Sequence, residues 1–224
     1  KKINFKNFHV KKIDKKIKKD LIKILNEENS ILDSLSKSYK NNYSKKNISN
    51  LKNYKKINII GMGGSILGTE AIFNFLRPKL KKEFKFINNL ETVKIQKKNK
   101  KNLNLIISKS GNTIETISNS NILIKKNDKN IFITENKTSY LSLLAEKLKA
   151  EIVYHNNFIG GRYSVLSEVG MLPAELMGFN PKKFKQFDNL IKNKKFINSL
   201  LVNVNNILFF LKKKKLNSII LNYD

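Results

Sequence analysis

Three short segments of this chain place hydroxyl, amide and guanidinium donors where the backbone must turn. The first runs Gly61-Met62-Gly63-Gly64-Ser65-Ile66-Leu67-Gly68. Its glycines allow a tight turn and a close approach of main chain to a ligand, and Ser65 adds a hydroxyl donor. A helix opening behind such a turn would offer free N–H groups and positive potential to a phosphate. The second runs Ser108-Lys109-Ser110-Gly111-Asn112-Thr113-Ile114-Glu115-Thr116, with hydroxyls at 108, 110 and 113 that can each donate to phosphate oxygens. The third, Gly160-Gly161-Arg162-Tyr163-Ser164, sets an arginine fork behind a pair of glycines. Together the three could hold a phosphorylated ligand and stabilise a negative oxygen on it.

Each segment also has a plainer reading. The glycine turn could serve only to reverse the chain, Asn112 or Thr113 could simply cap a helix whose first turn favours Glu115, and Arg162 could form a surface salt bridge. The glycine turn is also compatible with a dinucleotide fingerprint, in which Glu91 would bind the ribose. No lysine stands at the P-loop position after the glycines, which argues against a nucleoside triphosphatase. Arginine is scarce in a chain whose default cation is lysine, so Arg162 reads as a choice that its fork geometry explains. His9 and His155 are each isolated in sequence from any carboxylate or second histidine. Neither is assigned a catalytic role, and no metal is expected.

The elements that must position these segments alternate. Strands are predicted at 57–60, 84–87, 103–107, 130–134 and 151–154, with helices at 66–76, 113–123 and 140–148 between them. That alternation predicts a three-layer αβα sandwich on a mainly parallel five-stranded sheet, with ligands at the carboxyl ends of the strands. Helices precede and follow it. The stripe from Ile13 to Leu35 predicts an amphipathic helical segment, and 38–56 reads as a connector with room for one short helix. The chain after Arg162 is predicted helical through Met177, and a further helix covers 189–211. The expected organisation is an N-terminal helical segment at 1–50, a ligand-binding α/β domain at 51–180, a helical connector at 181–215 and the opening strand of a second domain at 216–224.

Composition narrows the classes. Lys and Arg number 45 against 17 Asp and Glu, a net charge of +28, but the excess is nearly all lysine and spread along the whole chain. This is compositional drift rather than a nucleic-acid patch, so no nucleic-acid partner is expected, and the general positive field would steer anionic metabolites inward. There is no cysteine, which removes disulfides and thiolate metal sites. No apolar run is long enough to span a bilayer, so the expectation is a cytoplasmic protein without a membrane partner.

Taken in order, the three segments resemble the glucose-6-phosphate isomerase family, which is built from two sugar isomerase (SIS) domains. The family pattern of a GxGGSxLG turn, SK(S/T)xxTxET and GGRYS leading to a leucine-proline step matches here, including Leu172-Pro173. The resemblance implies cofactor-free conversion of glucose 6-phosphate to fructose 6-phosphate, in glycolysis and gluconeogenesis, through an enediol. It implies that Ser65, Ser108, Lys109, Ser110 and Thr113 hold the phosphate with backbone contact from Gly64. Gly160 and Gly161 would lie beside the sugar, Arg162 would stabilise charge at its first two carbons, and Glu115 would order the site. Ser110 replaces the commoner Thr, and Asn112 stands where many members have Thr. The family's glutamate base, ring-opening histidine and late lysine belong to the second SIS domain and the C-terminal segment. They would follow residue 224, so this chain is expected to bind substrate, to be inactive alone, and to form a homodimer in its full-length form. A non-catalytic SIS module that senses a sugar phosphate is the alternative reading.

Overall fold

Five segments rich in Ile, Leu, Val and Phe form the sheet around which the other elements are arranged. The computed structural model describes residues 13–90 and 102–213. In chain order its elements are α1 (Lys15–Asn26), α2 (Ser30–Leu35), α3 (Lys45–Leu51), β1 (Lys56–Gly61), α4 (Leu67–Leu76), β2 (Glu83–Ile87) and β3 (Leu103–Ile107). They continue with α5 (Ile114–Leu123), β4 (Lys129–Glu135), α6 (Tyr140–Lys147), β5 (Glu151–His155), α7 (Glu168–Leu176), α8 (Phe187–Ile191) and α9 (Lys194–Lys212). His9, Glu91 and the strand expected at 216–224 lie outside the described residues.

All five strands are parallel, in the order β2-β1-β3-β4-β5. Because successive side chains on a strand point to opposite faces, each strand feeds two cores. Ile57, Ile59, Leu103, Leu105, Ile131 and Ile133 join Ile48 of α3, Ile72 of α4 and Met171 of α7 on one face. Ile60, Ile106 and Phe132 join Ile117 of α5 and Leu141 of α6 on the other. The result is the three-layer sandwich.

Polar residues interrupt the apolar strands at one level, and the register explains why they are tolerated. Asn58, Asn104 and Asn130 stand side by side on β1, β3 and β4. The Asn58 amide donates to Asn104 Oδ1 at 2.7 Å, the Asn104 amide to Asn130 Oδ1 at 2.8 Å, and the Asn130 amide to the Lys125 carbonyl at 3.1 Å. A buried polar row chained in this way leaves no donor stranded.

Three predicted helices prove to be broken. The stripe expected at 13–35 divides into α1 and α2, because Glu27 closes α1 in an extended conformation. The helix expected after Arg162 is first a 3-10 turn, Gly161–Leu166, and becomes α7 only after Ser167 takes an extended ψ of -165°. The helix expected at 189–211 divides into α8 and α9, where the Asn193 side chain caps α9 by accepting from the Lys195 and Phe196 N–H groups. Pro173 sits inside α7 and cannot donate to the Val169 carbonyl one turn earlier. The Thr69 hydroxyl of α4 donates to that carbonyl instead, at 3.2 Å.

The sheet and its covering helices belong to one compact unit, residues 30–185, while residues at the two ends of the described chain form another. In the latter, the Asp14 side chain accepts from the Lys16 N–H at 2.8 Å to cap α1, and the Asp14 N–H donates to Asn205 Oδ1 at 3.1 Å. No helix among the described residues is long and apolar enough to cross a membrane.

Candidate functional site

With β1 between β2 and β3, the chain reverses its direction of travel across the sheet at the β1/β3 boundary. The turns that leave the carboxyl ends of these two neighbouring strands therefore flank one crevice, the usual ligand position in an open parallel sheet. The turns are 61–66 and 108–113, the first two segments singled out above.

The turn after β1 needs its glycines. Gly63 has a φ of 54°, a left-handed conformation that a side chain would strain. A Cβ on Gly64 would lie 2.5 Å from the Gly161 carbonyl oxygen and 2.9 Å from the Arg162 nitrogen. The first segment and the third are thus pressed main chain to main chain. The Ser164 hydroxyl, which is buried, lies 2.8 Å from the Gly161 carbonyl and 3.4 Å from the Gly64 carbonyl, the second bond spanning the contact. Gly160 and Gly161 form the approach to Arg162, whose exposed guanidinium pairs with no carboxylate among the described residues.

After β3, Ser108 is buried and its Oγ lies 2.9 Å from Thr113 Oγ1. The Gly111 N–H donates to the same Ser108 Oγ at 3.2 Å, from a residue with a φ of 68°. Thr113 occupies the N-cap position of α5, yet its side chain makes no capping bond. Its hydroxyl is turned toward Ser108 instead. Ser110 is exposed and its Oγ accepts from the Asn112 N–H at 3.2 Å, while Asn112 Oδ1 accepts from the Tyr140 N–H at 2.9 Å. Glu115 lies in the first turn of α5, where its charge suits the helix terminus. Ser65 closes the other turn, its N–H donating to the Met62 carbonyl at 3.2 Å. The Lys109 ammonium is held away from these hydroxyls' own bonds: it donates to the Asn157 carbonyl at 2.7 Å and pairs with Glu135 at 3.2 Å. Burial raises the Glu135 carboxyl, and the Lys137 and Lys109 ammonium groups outweigh it, so the group stays below its ordinary range.

Sequence reading left His155 without a partner, and here the fold supplies one. Its Nδ1 is 3.2 Å from Glu168 Oε2, and its Nε2 is 2.9 Å from the Ile159 carbonyl. Both side chains are fully enclosed. The other carboxylate oxygen of Glu168 accepts from the Tyr39 hydroxyl at 3.0 Å and the Asn42 N–H at 3.1 Å. Burial pushes the Glu168 carboxyl up, but hydrogen bonds from His155, its own N–H, Asn42 and Tyr39 prevail and hold it below the ordinary carboxylate range. The imidazole thus bridges the Glu168 carboxylate and the Ile159 carbonyl through its two ring nitrogens. It ties the end of β5 and the start of α7 together and fixes the loop that delivers Gly160, Gly161 and Arg162. Spacing could not have signalled it, because the partners come from three separate stretches. Among the described residues no cluster of histidine and acidic side chains could hold a metal ion.

Residues 7–207 match the family described as phosphoglucose isomerase. The chain is 32% identical over 191 residues to the glucose-6-phosphate isomerase of Methanocaldococcus jannaschii, covering 77% of this chain and 47% of that protein. It is 34% identical over 147 residues to the glucose-6-phosphate isomerase of Campylobacter jejuni, covering 57% and 35%. This chain thus spans about half or less of the length of the curated relatives it matches. Among solved structures, a hypothetical protein from Thermus thermophilus superimposes with a TM-score of 0.60 at 19% identity, covering 88% of this chain and 52% of that one. The tagatose-6-phosphate ketose/aldose isomerase of Escherichia coli gives 0.52 at 15% identity, covering 72% and 48%. At these identities the two structures speak for the fold alone.

Proposed function

The chain belongs to the phosphoglucose isomerase family, and from that premise we propose that it supplies the phosphate-binding and charge-stabilising half of an aldose-ketose isomerase acting on glucose 6-phosphate and fructose 6-phosphate. The observation that carries the reading is Thr113. A threonine whose only task was to start a helix would use its hydroxyl for the cap, whereas this one leaves the cap bond unmade and faces the buried Ser108 hydroxyl across 2.9 Å. Two hydroxyls held together at the end of a central strand form a cradle for phosphate oxygens.

In this mechanism Ser65, Ser108, Ser110 and Thr113 donate to the phosphate, with the Gly64 backbone beside them. Lys109 shapes the same turn and adds positive potential. Gly160 and Gly161 let the main chain lie along the sugar. Arg162 faces the oxygens of the first two carbons and stabilises the negative charge of the enediolate, a term that for a single donor reaches about 2.7–4 kcal/mol. Glu115 orders the phosphate turn. The proton moves between the two carbons by general-base catalysis, which contributes about 10²–10⁴-fold. We assign the base, the ring-opening histidine and the late lysine to the half of the family's length that this chain does not span. The 224 residues alone are then a binder without turnover, and the full-length form a cytoplasmic homodimer serving glycolysis and gluconeogenesis.

Calorimetric titration with fructose 6-phosphate beside a coupled isomerase assay tests the proposal. Binding that Arg162→Ala weakens about tenfold, without turnover, is the expected outcome. Absence of binding would refute the site, and turnover by the chain alone would refute the assignment of the base.

A further inference from the structure

A cleft of about 830 Å³ opens on the unit that carries the sheet, with Lys185, Asn41, Tyr43 and Glu175 in its lining. Lysines at its mouth carry no information, since lysine covers this protein everywhere. Lys185 is different. Among the described residues it is the one lysine buried as a whole, at 2% exposure, and its Nζ has no hydrogen-bond partner. The Nζ stands 4.2 Å from the centroid of the Tyr39 ring. That contact offers the cation a π face but no acceptor for its N–H bonds. Burial pushes the ammonium down to about 8, against the pull of the Glu168 carboxylate.

A second stranded atom lies in the same lining. The Asn41 amide nitrogen donates to the Tyr43 hydroxyl at 3.1 Å, but Asn41 Oδ1 is buried without a partner. Glu175, the carboxylate of the lining, is engaged by the Tyr43 hydroxyl. Folded proteins seldom leave buried polar atoms unpaired, and least of all a cation. A water molecule could serve Asn41 but could not neutralise Lys185. The two defects are complementary: one asks for negative oxygen and the other for a hydrogen-bond donor.

We infer that this cleft binds a small oxyanion bearing a hydroxyl group, its charged oxygens against Lys185 and its hydroxyl donating to Asn41 Oδ1. It shares no residue with the turns that carry Ser108 and Arg162, so the inference does not depend on the isomerase reading.

The ¹⁵N-labelled 224-residue chain is titrated with acetate, glycolate and inorganic phosphate at neutral pH and followed by ¹H–¹⁵N correlation spectra. Saturable shifts are expected in residues 37–43 and 181–185, with glycolate about threefold or more tighter than acetate, because glycolate alone of these two carries the extra hydroxyl. Lys185→Met preserves the side chain's bulk and is expected to weaken each anion about tenfold. Asn41→Leu erases the difference between glycolate and acetate while acetate still binds. Arg162→Ala changes none of these affinities. Shifts that do not saturate, equal affinities for glycolate and acetate in the unaltered protein, or binding that responds to Arg162→Ala and not to Lys185→Met would each overturn the assignment.

Discussion

Replacing Glu168 tests the view that its buried carboxylate holds the Arg162 loop. In Glu168→Ala three donors lose their acceptor at once: His155 Nδ1, the Tyr39 hydroxyl and the Asn42 N–H. The two side-chain donors dominate the loss, because a buried donor left without its acceptor costs about 1–3 kcal/mol. Asn42 is exposed and recovers its bond from water, so a total of about 4 kcal/mol is expected. For a unit of this size that corresponds to a fall in Tm of roughly 8–16 °C. Glu168→Gln differs in kind. Its amide oxygen still serves Tyr39 and Asn42, its NH₂ can donate to a neutral imidazole, and Nε2 keeps its bond to the Ile159 carbonyl, so about 1–2 kcal/mol is expected. The pH dependence separates the two effects. Since the folded carboxyl is held below its ordinary value of 4.5, its contribution is complete above that value and is lost as pH falls through the lower folded value. Urea unfolding from neutral to acid pH should therefore show the native protein and Glu168→Gln converging in acid. If glutamine costs as much as alanine, or the two curves keep a constant separation, this account of the carboxylate is wrong.

Two further substitutions probe the supports of the site. Gly64→Ala places a methyl group 2.5 Å from the Gly161 carbonyl oxygen and should cost fructose 6-phosphate affinity about tenfold by calorimetry; unchanged affinity would mean that the two loops need not touch. Thr69→Val leaves the Val169 carbonyl without its donor and should cost about 1–3 kcal/mol in denaturant unfolding. Pro173→Ala restores a backbone N–H one turn away, so the double variant should recover part of that loss, and strict additivity would count against the explanation.

The sheet was fully legible because each strand is a short apolar run between polar turns. The expected strand at 103–107 coincides with β3, and the others differ from the observed bounds by a residue at either end. The turns that carry the three motifs were legible for a related reason, since turn chemistry is local and the spacing of Ser, Gly and Arg survives without tertiary context. Helix breaks were not. Ser167 and Asn193 stop one helix and start another within patterns whose apolar spacing continues across them. The His155–Glu168 network was hidden for the opposite reason: Tyr39 and Asn42 lie in a stretch with no period at all, and only the packed fold brings them to the carboxylate. Thr113 belongs between these cases, for sequence placed it at a helix start but could not tell which bond its hydroxyl would choose.

The contact between the two glycine turns also governs when the site can come into being. The Ser164 hydroxyl and the Gly64 carbonyl, 3.4 Å apart, join positions separated by 100 residues. Closing so long a loop costs about 4 kcal/mol of chain entropy before any contact repays it. Pairing of the strands between them shortens the effective loop, so the Gly64–Gly161 junction is expected to form after the sheet does. A peptide carrying any one of the three motifs alone would therefore have residues of the proposed site without the junction that brings them together.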